Sequence, residues 1–293
     1  MTDTSVQDVE IAETAKTPSK LRSTFARDRK AQAGLIILII FGLAAILAPL
    51  IAPYDPNEMT LDMMGKPTGT HWLGTDDLGR DLLSRIIWGT QISLFVGLST
   101  VALSLVVGVT LGVLAGYYGG WIDNIIMRYV DLQWAFPNFI IAVYLVAVFG
   151  TGLFNVIVAI ALAFLDDFAR IARSMVLTLK EEQFVDAARV QGFSDFRIMF
   201  YHILPNATAP IIVQATVSVS YAILGEASLS FLGLGVNPDT PTWGLILADG
   251  RSFISQAWWL GVYPGLAIML VVLAINFVGD ALRDALDVRD TGA

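Results

Sequence analysis

Five stretches of this chain carry no Lys, Arg, Asp or Glu: residues 31–54, 86–122, 132–165, 198–225 and 252–279. A bilayer crossing needs about 20 apolar residues, so each stretch is long enough for one. Only 15% of the 293 residues are charged and 55% are hydrophobic, against roughly 25% charged in soluble domains. No soluble core of this size could cover that much apolar surface, so the chain belongs in a bilayer. A net charge of −8 argues against nucleic acid, which calls for a basic stripe. The lack of cysteine removes disulfides, thiolate metal sites and thiol nucleophiles.

Two of the stretches are too long for one simple crossing. The 34 residues of 132–165 would extend roughly 50 Å as a helix, against a hydrocarbon core of about 30 Å. Gly150-Thr151-Gly152 offers a turn, which divides the stretch into helices over 132–149 and 153–172. The second would end in Asp166, Asp167, Arg170 and Arg173, long enough to snorkel to the interface. The stretch 86–122 reads as one helix from about Thr90 to Gly116, followed by the loop Tyr117-Tyr118-Gly119-Gly120. With six spans, 14 of the 18 Lys and Arg residues fall on one side and 4 on the other; with five spans the division is 8 to 10. Because basic residues mark cytoplasmic loops, the expectation is an all-α polytopic membrane protein with six transmembrane helices and both termini cytoplasmic. Its parts are a tail over 1–33, a first span and outer loop over 34–89, a core over 90–281 and a tail over 282–293. Residues 1–20 are polar enough to be disordered, and the first span reads as an uncleaved anchor.

Enzyme chemistry is not evident. No G-x-x-x-x-G-K-[ST] run is present to cradle a nucleotide. His71 and His202 fall on opposite sides of the membrane, so no shared metal, cofactor or triad is expected. A stripe of small residues, Thr100, Ser104, Gly108, Gly112, Gly116 and Gly120, repeats every four residues and predicts close approach of another helix. Val113 is expected to face away from it. Glu226, Asp166 and Asp167 are candidates for a pathway or gate, since carboxylates in a bilayer usually meet water or a partner. A structural hydrogen bond at Glu226, and pairing of the two aspartates with Arg170 or Arg173 one turn on, are the alternatives.

The segment 174–205 between two spans is amphipathic. Phe184, Ala187, Ala188 and Gln191 fall on or near one helix face, and Gly192 suits a left-handed C-terminal cap. A second arm carries Phe196, Phe200 and Ile203 before Leu204-Pro205. The hairpin either packs beneath its own bundle or docks a cytoplasmic partner.

Its sequence resembles the "EAA" loop of ABC importer permeases, E-A-A-x-x-x-G followed by I-x-L-P. Here the run is Asp186-Ala187-Ala188, Gly192 and Ile203-Leu204-Pro205, with Asp186 in place of the usual Glu. His71-Trp72-Leu73-Gly74-Thr75-Asp76, Gly79-Arg80-Asp81 and Glu226-Ala227-Ser228-Leu229-Ser230-Phe231 resemble the C-type subunits of dipeptide and oligopeptide permeases. Asp166-Asp167 departs from them, since relatives often carry Trp-Pro there. The resemblance covers about residues 25–285. It implies a type I ABC importer permease in a bacterial or archaeal cytoplasmic membrane, with no ATPase chemistry of its own. The implied partners are a second permease subunit, two cytoplasmic ATPase subunits and an extracytoplasmic binding protein that delivers peptide. Coupling would run through Phe184, Asp186, Ala187, Ala188, Gly192, Leu204 and Pro205. Related permeases also carry nickel chelates and other small solutes. The rival readings are a secondary transporter acting alone and a membrane scaffold.

Overall fold

The structure, a computed structural model, describes residues 24–286. The disorder expected over 1–20 and the outer part of the C-terminal tail lie outside these residues. Among them, nine main helices form in chain order: α1 Arg29–Ile51, α2 Leu82–Tyr118, α3 Gly120–Trp134, α4 Asn138–Phe149, α5 Leu153–Leu179, α6 Gln183–Val190, α7 Thr208–Phe231, α8 Trp243–Gly250 and α9 Trp259–Leu286. No strand occurs among the described residues, apart from an isolated bridge between Thr75 and Asp81. Four helices, α1, α2, α7 and α9, are long and apolar enough to cross a membrane, and α3 with α4 makes a fifth if taken as one bent span. The helix α5 is 27 residues long but carries Asp166, Asp167, Arg170 and Arg173.

Helix starts follow capping chemistry. Asp28 accepts from the Lys30 N–H at 2.8 Å to open α1, Asp81 from the Ser84 N–H at 2.8 Å to open α2, and Thr242 from the Leu245 N–H at 3.0 Å to open α8. The turn at Gly150 and Gly152 is present, with φ of +92° and +124°. The straight helix over 132–149 is not. The chain enters α3 at Gly120 and breaks after Trp134, and α3 and α4 meet at 94°. Pro137 accounts for the break, because it lacks an N–H and disfavours helical geometry at the residue before it. The span expected from 198 begins instead at Thr208, since 198–206 is the second arm of the hairpin.

Helices α2 and α5 pack through the small-residue stripe, carbonyl by carbonyl. Ser104 Oγ donates to the Ala161 carbonyl at 2.9 Å, 57 residues on. An added Cβ would collide with the Leu165 carbonyl at Gly108 and the Ala169 carbonyl at Gly112, and would lie 3.0 Å from the Arg173 carbonyl at Gly116. The offset is constant, so the two helices run parallel. Two expectations for this contact are corrected. Gly120 lies beyond the break at Gly119 and begins α3, outside the stripe. Val113 is fully buried rather than turned away.

A parallel pair obliges the chain between its members to return, and α3 with α4 does so. At the far end of α4, the Gly152 N–H donates to the Gly235 carbonyl at 3.2 Å. That same end holds residues 54–81: Asn57 Nδ2 donates to the Asp239 carbonyl at 3.0 Å and Trp259 Nε1 to the Thr75 carbonyl at 3.3 Å. The opposite end holds the hairpin, the start of α7 and both ends of the described chain. Ala209 and Pro210 there share a cleft with Arg283 and Leu286, and Asp28 shares one with Asp280 and Arg283.

Candidate coupling hairpin and intramembrane polar face

The hairpin is sorted by burial into two faces. On α6, Val185 and Ala188 turn inward and are buried, whereas Phe184, Ala187 and Gln191 are exposed. Ala188 therefore does not share the face expected of it. Adjacent helical positions differ by about 100°, and the bundle takes one of them. Val190 is 89% exposed. Gly192, at φ +78°, ends α6: its N–H donates to the Arg189 carbonyl at 2.9 Å and the Phe193 N–H to the Ala188 carbonyl at 3.2 Å. These two bonds form a Schellman motif.

The second arm winds through a π turn over Ile198–Ile203. The wider turn brings Ile198 and Ile203, five residues apart, to one buried face with Met199; Phe196, before the turn, is exposed and Phe200 half-buried. Leu204 is half-buried and Pro205 exposed. Asp186 pairs with Arg189 at 2.9 Å within α6, and both are exposed. The sequence did not single out the tethers that hold the hairpin to the bundle. Tyr117 OH, at the end of α2, donates to Asp195 Oδ1 at 2.8 Å, and Lys180 Nζ donates to the Gly116 carbonyl at 3.1 Å.

A second cluster lies between α3 and α5. Arg173 pairs with Asp123 through two bonds of 2.6 Å, and Arg170 pairs with Asp131 at 2.7 Å while its guanidinium covers the Trp134 ring at 4.3 Å. The expected pairing of these arginines with Asp166 and Asp167 is thus replaced by pairing across to α3. Spacing along α5 could not reveal a partner on another helix. Asp167 accepts from Gln214 Nε2 of α7 at 3.3 Å. Asp166 is fully buried, and neither of its carboxylate oxygens has a hydrogen-bond partner. Gln133 donates through Nε2 to the Leu162 carbonyl at 2.6 Å and leaves a buried Oε1 unpaired.

Glu226 is 1% exposed and accepts from Ser230 Oγ at 2.7 Å and Thr242 Oγ1 at 2.8 Å. Those bonds fasten the start of α8 to α7, the geometry of the structural alternative. Near α8, Arg80 pairs with Asp76 at 2.6 Å, and the buried Arg85 lies 3.7 Å from Asp249. Burial pushes the Asp249 carboxyl above the usual range, while Arg85 and Arg80 pull against it. His71 Nδ1 lies 2.9 Å from Asp81 Oδ1. Among the described residues no group of His, Cys, Asp and Glu could hold a metal.

Residues 108–289 match the family described as "Binding-protein-dependent transport system inner membrane component", and residues 21–67 match the "N-terminal TM domain of oligopeptide transport permease C". The chain is 48% identical over 263 residues to the dipeptide transport system permease protein DppC of Alkalihalophilus pseudofirmus, covering 89% of this chain and 86% of that one. It is 46% identical over 282 residues to the di/tripeptide transport system permease protein DppC of Pseudomonas aeruginosa, covering 92% of each. The glutathione transport system permease protein GsiD of Pectobacterium atrosepticum is 45% identical, with 87% and 85% covered. Among solved structures, the inward-facing MetNI methionine ABC transporter shares the fold at TM-score 0.57 and 21% identity, covering 70% of this chain and 98% of that one.

Proposed function

This chain belongs to the family of binding-protein-dependent transport system inner membrane components, and from that premise we propose that it forms half of the channel of an ATP-driven importer of dipeptides and oligopeptides. The observation that carries the mechanism is the outward face of the hairpin. Among the described residues Phe184, Ala187 and Val190 are exposed at one end of the bundle, Phe184 at 38% and Val190 at 89%. Apolar area presented there calls for a receiving surface, and the cytoplasmic ATPase subunits would supply it. Motion of that surface would pass through Gly192, Leu204 and Pro205 into α7, and through the Tyr117–Asp195 bond into α2. The subunit itself would hydrolyse no ATP.

Six crossings with both termini cytoplasmic are part of the same reading. The 14-to-4 division of basic residues supports them, as do the parallel run of α2 and α5 and the gathering of both described chain ends beside the hairpin. Residues 54–89 and 226–259, at the opposite end, would meet the extracytoplasmic binding protein, and a second permease subunit would complete the channel. Asp166 and Asp167 would belong to its inner part. The division into 1–33, 34–89, 90–281 with the loop 174–205, and 282–293 follows from these roles. The test is reconstitution of the chain with its second permease, ATPases and binding protein. ATP-dependent uptake of a labelled dipeptide is expected; uptake by this chain alone would instead make it a secondary transporter.

A further inference from the structure

We propose that Asp166 receives the positively charged amino terminus of the peptide as it passes through this subunit's half of the channel. The inference rests on the importer reading above and names the chemical group that one of its pathway residues recognises.

Depth comes first. Leu165, the neighbour of Asp166, meets α2 at Gly108, ten residues before α2 ends at Tyr118. At about 1.5 Å per residue, that is roughly 15 Å inside the hairpin end. A carboxylate at that depth with no donor on either oxygen is costly. Neither nearby cation bonds to it: Arg170 is engaged with Asp131 and Trp134, and Arg173 with Asp123. Among the described residues none donates to Asp166, so both oxygens are open to a donor from outside the chain.

The unpaired acceptors define what that donor is. Gln133 holds the Leu162 carbonyl, one turn before Asp166 on the same face of α5. Its free Oε1 and the two Asp166 oxygens make three buried acceptors without a donor. A primary ammonium presents three N–H groups on a point charge, and every peptide with a free amino terminus carries one. The face is also unsuited to lipid, since the Asp131 side chain is 60% exposed and that of Arg170 32%; charges so placed call for water or a partner. Access follows from the hinges of α3. It is bounded by Gly119 and Gly120 at φ +66° and +54°, and by the break at 135–137. Gln133 of α3 covers this face of α5 at the Leu162 carbonyl, so swinging α3 away from α5 would open it.

Two experiments decide the matter. In the purified complex without binding protein, Asp166 is modified with dicyclohexylcarbodiimide and the label is mapped by mass spectrometry. Millimolar dialanine is expected to slow labelling severalfold and N-acetyl-dialanine to leave it unchanged; equal protection by both, or by neither, overturns the proposal. In the complete reconstituted system, Asp166→Asn is expected to lower dialanine uptake at least about tenfold, the worth of one charge-assisted hydrogen bond. Parental uptake by this variant also overturns the proposal. Should Asp166→Asn fail to assemble, the labelling of the parent complex still decides. A parent complex that hydrolyses ATP yet imports no peptide would sink the importer reading itself, a result distinct from unprotected Asp166 in a complex that does import.

Discussion

Gly112 and Gly192 are both required, for opposite reasons. At Gly112 the backbone is ordinary helix and the space is absent: a methyl group would meet the Ala169 carbonyl and, at 2.8 Å, the Ala172 Cβ. Gly112→Ala is therefore expected to cost about 1–3 kcal/mol and Gly112→Leu more, read as loss of folded, assembled subunit. Val106→Leu, at a position 62% exposed, is the matched control and should be near neutral; equal recovery of all three would mean that α2 and α5 do not pack there. At Gly192 the space is open, with nothing within 4 Å of an added Cβ, but φ is +78°. Gly192→Val should cost roughly 1–2 kcal/mol locally through backbone strain, whereas Gly192→Asn should be tolerated. We expect the Val variant to insert normally yet lose ATPase stimulation by substrate, and the Asn variant to keep it. Both glycines stand out in the sequence by spacing and cap position. What the structure adds is the atoms involved: the Ala169 carbonyl of a neighbouring helix at Gly112, and the carbonyls of Ala188 and Arg189 that the cap at Gly192 satisfies.

At the scale of the element, the hairpin separates docking from packing within two adjacent alanines. Ala187 is exposed on α6 and Ala188 is 3% exposed against the bundle. Ala187→Trp should leave the subunit folded and reduce co-purification of the ATPases. Ala188→Trp should lower the yield of folded subunit, since a buried site cannot accept an indole. Equal yields together with equal docking losses would show that both residues face the partner. Asp186 matters less in this respect, because its exposed pair with Arg189 is worth about 0–1 kcal/mol. The amphipathic character of 183–206 is legible in its residues. The π turn is not, and it carries the second arm's apolar stripe off the positions that a regular helix would give. Ile198, five residues before Ile203, consequently lies inside with it.

For the whole molecule, the topology is open to direct measurement. A reporter inserted after Gly65 should lie outside the cell, and reporters after Gln183 and Asp290 inside; Gln183 outside would remove the coupling role of the hairpin. The sequence by itself determined that the chain lives in a bilayer, that Gly150–Gly152 divides the long apolar stretch, and that a small-residue stripe seeks a close neighbour. Apolar run length, turn chemistry and four-residue spacing are local properties, visible along one dimension. Tertiary structure alone decided that the neighbour is α5 and runs parallel to α2, that Arg170 and Arg173 reach across to Asp131 and Asp123 of α3, and that Glu226 fastens α8 to α7. Each of those depends on which helix lies beside which. In an all-apolar environment the hydrophobic pattern cannot choose among neighbours, so the choice falls to shape and to a few polar groups that must find one another.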